Sequence, residues 1–341
     1  MFGAASADLE AGARNAVEVC LAIQRDERVA LIADEASREV AASIAAALDE
    51  VGAPWEGVLI ERIAGRPLTA APPAVLDALE HADAGILCVQ PQQGELGARM
   101  AIVSVVERRG IRYAHMVGVT SQIMRQGMCA DYRLVDELSQ RLCERMPRAE
   151  RLRVETPGGT ALTATFDPQY TWVKTSGLIN RRYWSNLPAG EVFTTPKSVD
   201  GVFVCDGTAG DYFGLKYGDL RATPLTLEIA GGRLQAAHSA RKDLEQEFWD
   251  YCHTDEHSDR VGELAFGTNI ALDDMIGVLL QDEKIPGVHL AFGDPYGSQT
   301  GAPWKSRTHI DVLTRACNVW IDDEQVIRSG RYIMSRFGLH G

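Results

Sequence analysis

The first 120 residues alternate between short apolar runs and segments with helical periodicity, and no other feature of the sequence constrains the fold as strongly. The apolar runs, each of strand length, are RVALIAD (28–34), WEGVLIER (55–62), AGILCVQ (84–90) and RYAHMVGV (112–119). The helical segments are 9–24, 35–51 and 74–81. Strands that alternate with helices pair in parallel, because each helix returns the chain to the edge where the previous strand began. The sequence therefore predicts an α/β domain over residues 1–148, with a parallel sheet and flanking helices.

The pattern changes after one strongly amphipathic helix, predicted at Ala130–Met146, in which leucines recur every four residues. RLRVETPGGTALTATF (151–166) then predicts a hairpin around its Pro-Gly-Gly turn. Further short strands follow, with one helix at 244–252 and a last hairpin turned at Asp322-Asp323. Residues 149–341 are therefore predicted to form a second domain, of α+β class and rich in glycine.

The predicted strands are not followed by a glycine-rich phosphate-binding sequence. Dinucleotide and P-loop sites need G-x-G-x-x-G or G-x-x-x-x-G-K-[ST] directly after a strand. The two glycines of PQQGELGARM (91–100) fall in a predicted loop and have neither spacing. We therefore predict neither kind of nucleotide site.

Charge and composition exclude several classes of partner. The net charge is −13 and no five consecutive residues are Lys or Arg, so the surface would repel nucleic acids and anionic lipids. No apolar run reaches the ~18 residues of a membrane-spanning helix, and the N-terminus lacks the pattern of a signal peptide. Seven cysteines without a C-x-x-C pair are typical of a reduced protein. We expect a cytoplasmic protein that binds neither nucleic acid nor membranes.

The tetrapeptide THID (308–311) is the most specific local signal of a metal site. Side chains two apart in a strand share a face, so His309 and Asp311 would point the same way, with about 7 Å between their Cα atoms. That arrangement suits two ligands of one metal centre. The alternative is a histidine packed in the sheet beside an unrelated surface aspartate.

A second candidate pair lies in VHLAFGDPYG (288–297). His289 falls in a short apolar strand, and the turn at Gly293-Asp294-Pro295 directs Tyr296 back towards the same region. Imidazole binds zinc, manganese, cobalt or iron, and a tyrosine beside a cation can bind it or stabilise an oxyanion. The alternative is a core histidine and an ordinary turn tyrosine.

Two glutamates stand directly after glycines at the start of apolar segments: Glu191 in NLPAGEVFTTP and Glu263 in VGELAFGTN. An acid in an apolar segment must be paired, protonated or bound to a metal ion. Alternatively, either glutamate is the first exposed residue of a strand.

HTDEH (253–257) matches the H-x-x-E-H sequence of some zinc peptidases. That motif needs a helix that places both histidines on one face. Here the surrounding residues are polar and acidic and follow the predicted end of a helix. We interpret this segment as a solvated loop.

Four segments, in this order, resemble the thermophilic-type metalloaminopeptidases known as aminopeptidase T and aminopeptidase S. They are N-L-P-x-G-E-V-F-T-x-P from Asn186, G-E-L-A-x-G-x-N from Gly262, D-E-K-x-x-G-x-H-x-A-x-G-x-x-Y from Asp282, and H-x-D from His309. The resemblance extends from about Ala130 to the C-terminus. It implies a two-metal cluster that consists of Glu191, Glu263, His289, Tyr296, His309 and Asp311.

The resemblance also implies the chemistry and the partners. The protein would be a hydrolase of the metalloprotease type, holding two divalent ions (Zn, Co or Mn) that activate a water molecule and polarise an amide carbonyl. Glu191 or Glu263 would accept the proton of the water, and Tyr296 would complete the catalytic set. The substrate would be a peptide with a free N-terminus or another small molecule, and the protein would form a homodimer. Lys284, which precedes His289 as it does in that family, is interpreted as structural.

Two alternatives remain from the sequence. The chain is also similar to the iron-dependent ring-opening dioxygenases of dihydroxypyridines, which hold one Fe(II) with the H-x-D pair and a histidine at the position of Glu263. This sequence has a glutamate there and retains Glu191, His289 and Tyr296, which favours the hydrolase. The other alternative is a non-catalytic protein that binds a metal ion or a small ligand.

Overall fold

The structure is a computed structural model that describes residues 1–181 and 184–340. Its described strands are β1 Val29–Ala33, β2 Trp55–Leu59, β3 Ala84–Val89, β4 Arg112–Val117, β5 Arg151–Glu155, β6 Ala161–Phe166, β7 Val173–Thr175, β8 Ser185–Asn186, β9 Glu191–Thr194, β10 Pro196–Cys205, β11 Leu225–Ala230, β12 Arg233–His238, β13 Val261–Gly267, β14 Gly287–Gly293, β15 His309–Leu313, β16 Asn318–Ile321, β17 Glu324–Arg328 and β18 Arg331–Tyr332. The α-helices are α1 Glu10–Arg14, α2 Arg38–Val51, α3 Pro73–Glu80, α4 Leu96–Arg109, α5 Ser121–Arg125, α6 Tyr132–Arg145, α7 Asp211–Tyr217, α8 Lys242–Tyr251, α9 Leu279–Asp282 and α10 Gly297–Thr300. None of these helices combines the length and the apolar composition that crossing a membrane requires.

The chain divides into two compact units. The first contains Met1–Arg133 and Gly177–Ala189, and the second contains Leu134–Ser176 and Gly190–Gly341. This division does not coincide with a boundary between residues 148 and 149, mainly because of α6. The apolar face of that helix lies in the core of the second unit, where Leu138, Leu142 and Met146 are fully buried. An amphipathic helix belongs to the unit that covers its apolar stripe.

The first unit contains a parallel sheet with the strand order β2-β1-β3-β4-β8. Every residue of the two central strands β1 and β3 is buried, as expected where helices cover both faces of a sheet. The alternation of strands and helices thus produces the predicted mixed α/β arrangement. The predicted helix at 9–24 is shorter than expected, because α1 is followed by a π-helical segment at Asn15–Cys20.

Two α-helices of the first unit, α4 and the short α5, were not predicted. Residues 91–100 were expected to form a loop, but α4 begins at Leu96 and runs to Arg109. Its buried residues include Ile102, Val103, Val105 and Val106. With Ala98 they follow the spacing of one helix face, but the exposed apolar residues Leu96 and Met100 hide this period in the sequence.

The carboxyl ends of β1 and β3 are occupied by charged groups that bind one another. Asp34, which follows β1, accepts hydrogen bonds from the backbone nitrogens of Ser37 (2.8 Å) and Gln90 (2.6 Å). The buried guanidinium of Arg66 pairs with Asp34 and with Glu95. Ligands of open α/β sheets commonly bind at this edge. Here the polar groups of the edge satisfy one another.

The second unit contains two antiparallel sheets. One has eight strands in the order β12-β11-β10-β6-β5-β16-β17-β18, and the other has five in the order β15-β14-β13-β9-β7. On the five-stranded sheet, one set of alternating side chains is apolar and belongs to the core of the unit. This set includes Val192, Leu264, Phe266, Leu290, Phe292 and Val312. The other face of the same sheet is therefore free for polar residues.

Replacing Leu142 with alanine tests whether α6 is part of the core of the second unit. Leu142→Ala removes a fully buried side chain and should lower the free energy of unfolding by about 2–5 kcal/mol. Glu144→Ala, on the exposed side of the same helix, should change it by no more than about 0.5 kcal/mol. Urea denaturation measures both values. Equal, small losses in the two variants would contradict this packing of α6.

Candidate metal centre

Five of the six predicted site residues lie on one face of the five-stranded sheet. They are Glu191 of β9, Glu263 of β13, His289 of β14, and His309 and Asp311 of β15. In each strand these residues alternate with residues of the core. All five side chains therefore point away from the core, on the opposite face of the sheet. The predicted shared face of His309 and Asp311 is thus present, and it also includes the two glutamates and His289.

Small residues at neighbouring positions on this face of the sheet leave room for the polar side chains to approach one another. Across the sheet, Ala291 lies between Glu263 and Asp311, and Ala265 is the partner of His289. Gly190 places the first glutamate at its strand. It has φ +123°, and a Cβ atom there would lie 2.7 Å from the backbone nitrogen of Asn269. Only glycine tolerates that combination of backbone angle and close contact.

The two imidazoles and three carboxylates are within ligand distance of one another. His289 Nε2 lies 3.1 Å from Glu191 Oε1, 3.6 Å from Glu263 Oε1 and 3.9 Å from Asp311 Oδ1. His309 Nε2 lies 3.6 Å from Asp311 Oδ1 and 3.9 Å from Glu263 Oε2. Glu263 and Asp311 therefore face both imidazoles, whereas Glu191 faces His289.

The cluster is buried and carries excess negative charge. Glu191, Glu263 and Asp311 are each no more than 7% exposed. Buried carboxylates are unfavourable unless they are paired, protonated or bound to a cation. Among the ion pairs of the described residues, the charged partner besides the imidazoles is Lys284, whose Nζ lies 2.7 Å from Glu191 Oε2 and 2.6 Å from Glu283 Oε1. One ammonium cannot neutralise four carboxylates.

His289 shows that these residues fit a metal ion. Its Nε2 is buried and makes no hydrogen bond of acceptable geometry, although three carboxylates surround it. Glu191, Glu263 and His289 each offer one donor atom, and these atoms lie within 4.8 Å of one another. A buried nitrogen that lacks a hydrogen bond among anionic oxygens is what a divalent cation would satisfy. Such mixed nitrogen and oxygen donors suit zinc, manganese, cobalt or iron.

The protonation of the cluster reflects the same excess of negative charge. Burial alone would lower the pKa of His289, but Glu191, Glu263 and Asp311 outweigh it and raise that pKa to about 10. The pKa of His309 is likewise raised to about 10, against burial, mainly by Asp311. Burial would raise the pKa of Glu191, but Lys284 and His289 lower it to about 2. Metal binding needs neutral imidazoles, so an ion that binds here replaces protons.

Tyr296 lies beside the cluster and outside its buried part. The residue has φ +50° in the turn after β14 and is 39% exposed. Its ring centroid is 4.5 Å from that of His309 and 6.0 Å from that of Phe193. The turn therefore directs Tyr296 to the predicted side of the sheet, next to one of the two imidazoles.

Glu283 is a buried acid near the site that sequence reasoning did not select. Its side chain is 12% exposed and pairs with Lys284. Burial raises its pKa to about 8, although Lys284 lowers it. The signal in the sequence was its position beside a lysine in D-E-K, just before the strand of His289. Lys284 itself was interpreted as structural, and it is found in direct contact with Glu191.

The HTDEH segment does not form a helix. Residues 252–259 form turns after the end of α8. The ring of His253 stacks on Trp249, with centroids 4.0 Å apart, and its Nδ1 lies 2.7 Å from the carbonyl oxygen of Trp249. Without a helix, the spacing of the two histidines does not bring them to a common face.

Removing the ammonium of Lys284 should destabilise the metal-free protein strongly. In Lys284→Met the buried carboxylates of Glu191 and Glu283 lose their partner, which should lower the free energy of unfolding by about 3–5 kcal/mol. The measurement is urea denaturation with a chelator present. Lys174→Met is the matched control, because Lys174 forms one pair with Asp136 at 2.8 Å in which both side chains are about a quarter exposed. That variant should lose only about 0.2–1 kcal/mol. Similar losses of unfolding free energy in both variants would show that the buried Lys284 ion pairs matter no more for stability than the more exposed pair of Lys174.

Comparisons with known proteins agree with this site. Residues 108–317 match the family described as thermophilic metalloprotease (M29). Among curated proteins, 2,5-dihydroxypyridine 5,6-dioxygenase of Pseudomonas putida is 24% identical over 196 residues, which are 54% of this chain and 55% of that protein. The chain thus matches about half the length of that relative.

Two solved structures share the fold. Wild-type AmpT from Thermus thermophilus has a TM-score of 0.67 at 18% identity, covering 96% of this chain and 99% of that one. The 2,5-dihydroxypyridine dioxygenase from Pseudomonas putida KT2440 has a TM-score of 0.66 at 19% identity, covering 95% and 96%. Both predicted resemblances are thereby confirmed, and the family implies a divalent metal ion. Because the family match covers more than half of its residues, this chain belongs to the thermophilic metalloprotease (M29) family.

Proposed function

We propose that this protein is a metal-dependent hydrolase that cleaves an amide bond, either that of the N-terminal residue of a peptide or that of a small amide. The observation that carries this proposal is the buried group of Glu191, Glu263 and His289, in which His289 Nε2 has no hydrogen bond. Membership of a metalloprotease family supports it. Both support a divalent cation in this cluster, where it could activate water and polarise an amide carbonyl.

The proposed ligands are Glu191, Glu263, His289, His309 and Asp311, with Tyr296 beside them. The number of donors supports two divalent ions rather than one. Five side chains offer donor atoms, more than the three or four that one ion at such a site commonly takes from the protein. Asp311, which faces both imidazoles, could serve both ions, and Glu263 could bind through one oxygen and keep the other free.

Divalent ions in such a site lower the pKa of water and polarise a carbonyl oxygen. The side chains of the protein would then move the proton. Lys284 lowers the pKa of Glu191, so that carboxylate is a poor proton acceptor near neutral pH. Burial raises the pKa of Glu263, and its side chain has no contact with Lys284 among the ion pairs of the described residues. We therefore assign proton transfer to Glu263 and substrate orientation to Tyr296.

Variants of the H-x-D pair test the ligand assignment. His309→Ala and Asp311→Ala should each reduce bound metal by at least one ion per chain. Hydrolysis of an amino-acid p-nitroanilide should fall by at least about 100-fold, the scale of losing one stabilised charge in a transition state. Elemental analysis after dialysis and initial rates are the measurements.

His253→Ala is the control for these variants, because it removes an imidazole from the turn after α8 and should leave both readouts unchanged. Wild-type metal content in either H-x-D variant would remove that residue from the site. If the wild-type protein binds no metal, the proposed hydrolase function fails. The remaining alternative is then a non-catalytic protein that binds a ligand.

A ring-opening dioxygenase is the second candidate, favoured by one geometric observation. Asp311 Oδ1 lies 3.9 Å from His289 Nε2 and 3.6 Å from His309 Nε2. Two histidines and one carboxylate form the set that binds a single Fe(II) in many oxygenases, although the second histidine here is His289 and not one at the position of Glu263. Glu263 argues against this function, because it adds a buried negative charge where the resemblance to the dioxygenases requires a histidine.

Dependence on oxygen distinguishes the two functions. With Zn, Co or Mn bound, amide hydrolysis should proceed at the same rate in air and under anaerobic conditions. With Fe(II) bound, the protein should consume no O₂ in the presence of 2,5-dihydroxypyridine. An oxygen electrode and an amide assay make the comparison. Stoichiometric O₂ uptake with ring opening would replace the proposed function by the second candidate.

A further inference from the structure

The connection between β14 and β15 contains two site residues, so its conformation sets their positions. It begins after Gly293, carries Tyr296 and leads directly into His309. Its two ends lie very close together. Gly293 has φ +108°, and a Cβ atom there would lie 2.2 Å from the carbonyl oxygen of Thr308. Whatever holds these two ends in register therefore controls where His309 and Tyr296 lie.

Asp294 makes four hydrogen bonds, three of which connect these ends. Its Oδ1 accepts from the backbone nitrogen of Tyr296 at 3.0 Å, and its Oδ2 accepts from that of Ser306 at 3.2 Å. Its backbone nitrogen donates to the carbonyl oxygen of Thr308 at 2.7 Å. Its carbonyl oxygen lies 2.9 Å from His309 Nδ1. One residue thus contacts both site residues of the connection.

The contact with His309 fixes which ring nitrogen carries the hydrogen, as well as the orientation of the ring. A carbonyl oxygen can only accept a hydrogen bond, so Nδ1 must carry the hydrogen. In the neutral imidazole, Nε2 then has its lone pair free. This is the nitrogen that faces Asp311 Oδ1 at 3.6 Å and Glu263 Oε2 at 3.9 Å. Asp294 therefore directs the unprotonated nitrogen of His309 into the cluster.

Asp255, at the centre of HTDEH, holds the far end of the same connection. Its two oxygens lie 3.0 and 3.1 Å from Ser306 Oγ, and its Oδ2 accepts from the backbone nitrogen of Arg307 at 2.7 Å. Ser306 Oγ in turn accepts from the backbone nitrogen of Thr308 at 3.2 Å. The approach to His309 is thereby tied to the turn after α8. These bonds hold the pKa of Asp255 below its ordinary value, so it is ionised at neutral pH.

We propose that Asp294 and Asp255 are positioning residues that hold His309 in its metal-binding orientation, with Tyr296 beside it. The H-x-x-E-H-like segment then serves the site through its central carboxylate rather than through its histidines. This inference rests on the proposed metal site, and it adds the two residues that prepare one ligand before the ion binds. Partners that orient a ligating histidine commonly change metal affinity by about 10–100-fold.

The test measures Co²⁺ binding, which needs no hydrolysis. Asp294→Ala should weaken Co²⁺ binding by about 10–100-fold and change the visible absorption of the bound ion, because it removes the two side-chain hydrogen bonds that hold the Asp294 carbonyl oxygen against His309 Nδ1. Asp294→Asn keeps one acceptor oxygen and loses the other, so its affinity should lie between those of wild type and Asp294→Ala. Asp255→Ala and Asp255→Asn should follow the same order with smaller shifts. Equilibrium titrations followed by absorbance give both readouts.

Asp200→Ala is the matched control. Asp200 is an exposed carboxylate of β10 in the same unit, with 2.7 Å hydrogen bonds from the backbone nitrogen of Gly231 and from Ser198 Oγ. The alanine variant should lose these two hydrogen bonds without any change in Co²⁺ affinity or spectrum. If an alanine variant fails to fold, the asparagine variants decide, because they preserve the shape of the side chain.

Folded Asp294 and Asp255 variants that bind Co²⁺ with wild-type affinity and spectrum would overturn the inference and leave the proposed function intact. A wild-type protein that binds Co²⁺ but hydrolyses no amide would overturn the proposed function, while the titrations would still test the inference. A wild-type protein that binds no Co²⁺ would overturn both.

Discussion

The structure depends on the concentration of negative charge on one buried face of a β-sheet. Glu191, Glu263 and Asp311 are each less than a tenth exposed, and they lie where side chains of other sheets would be apolar. The opposite face of the same strands carries Val192, Leu264, Phe266, Leu290 and Phe292, which are buried in the core. Side chains alternate between the two faces of a strand. Burying the apolar residues in the core therefore places the carboxylates on the opposite face. A cation is the natural partner for charges placed in this way.

Lys284 explains how such a face can form before any metal ion binds. Its ammonium contacts one oxygen of Glu191 and one of Glu283, and it is 2% exposed. The imidazoles of His289 and His309 can each take a proton, since the carboxylates raise both of their pKa values to about 10. Lysine and two protons can thus balance the cluster in the metal-free protein. The lysine remains when metal binds, whereas the protons leave, which makes metal affinity rise with pH.

The sequence predicted those parts of the fold and the site in which apolar and polar residues repeat with a regular period. The two-residue period of T-H-I-D correctly placed His309 and Asp311 on one face, and the alternation of the first 120 residues correctly indicated a parallel sheet. The helical period of α4 was hidden by the exposed apolar residues Leu96 and Met100, and the period of α6 did not show which core would cover that helix. Contacts between distant segments left no local signal at all. The hydrogen bonds of Asp294 and the pairing of Lys284 with Glu191 depend on sheet register, which a single sequence does not reveal.

In our proposal, the choice between hydrolysis and oxygen chemistry at this sheet depends on the charges of the site. Asp311 with His289 and His309 would suffice for one Fe(II), and the fold is shared with a dioxygenase and with AmpT. What this chain adds is a carboxylate at Glu263, within 3.9 Å of both imidazoles, and Glu191, fixed by Lys284. Each extra buried carboxylate raises the positive charge that the site must hold to be stable. In our proposal that charge comes from two divalent ions, which would activate water and polarise a carbonyl. Glu263 is therefore the residue at which this scaffold is committed to hydrolysis in our proposal.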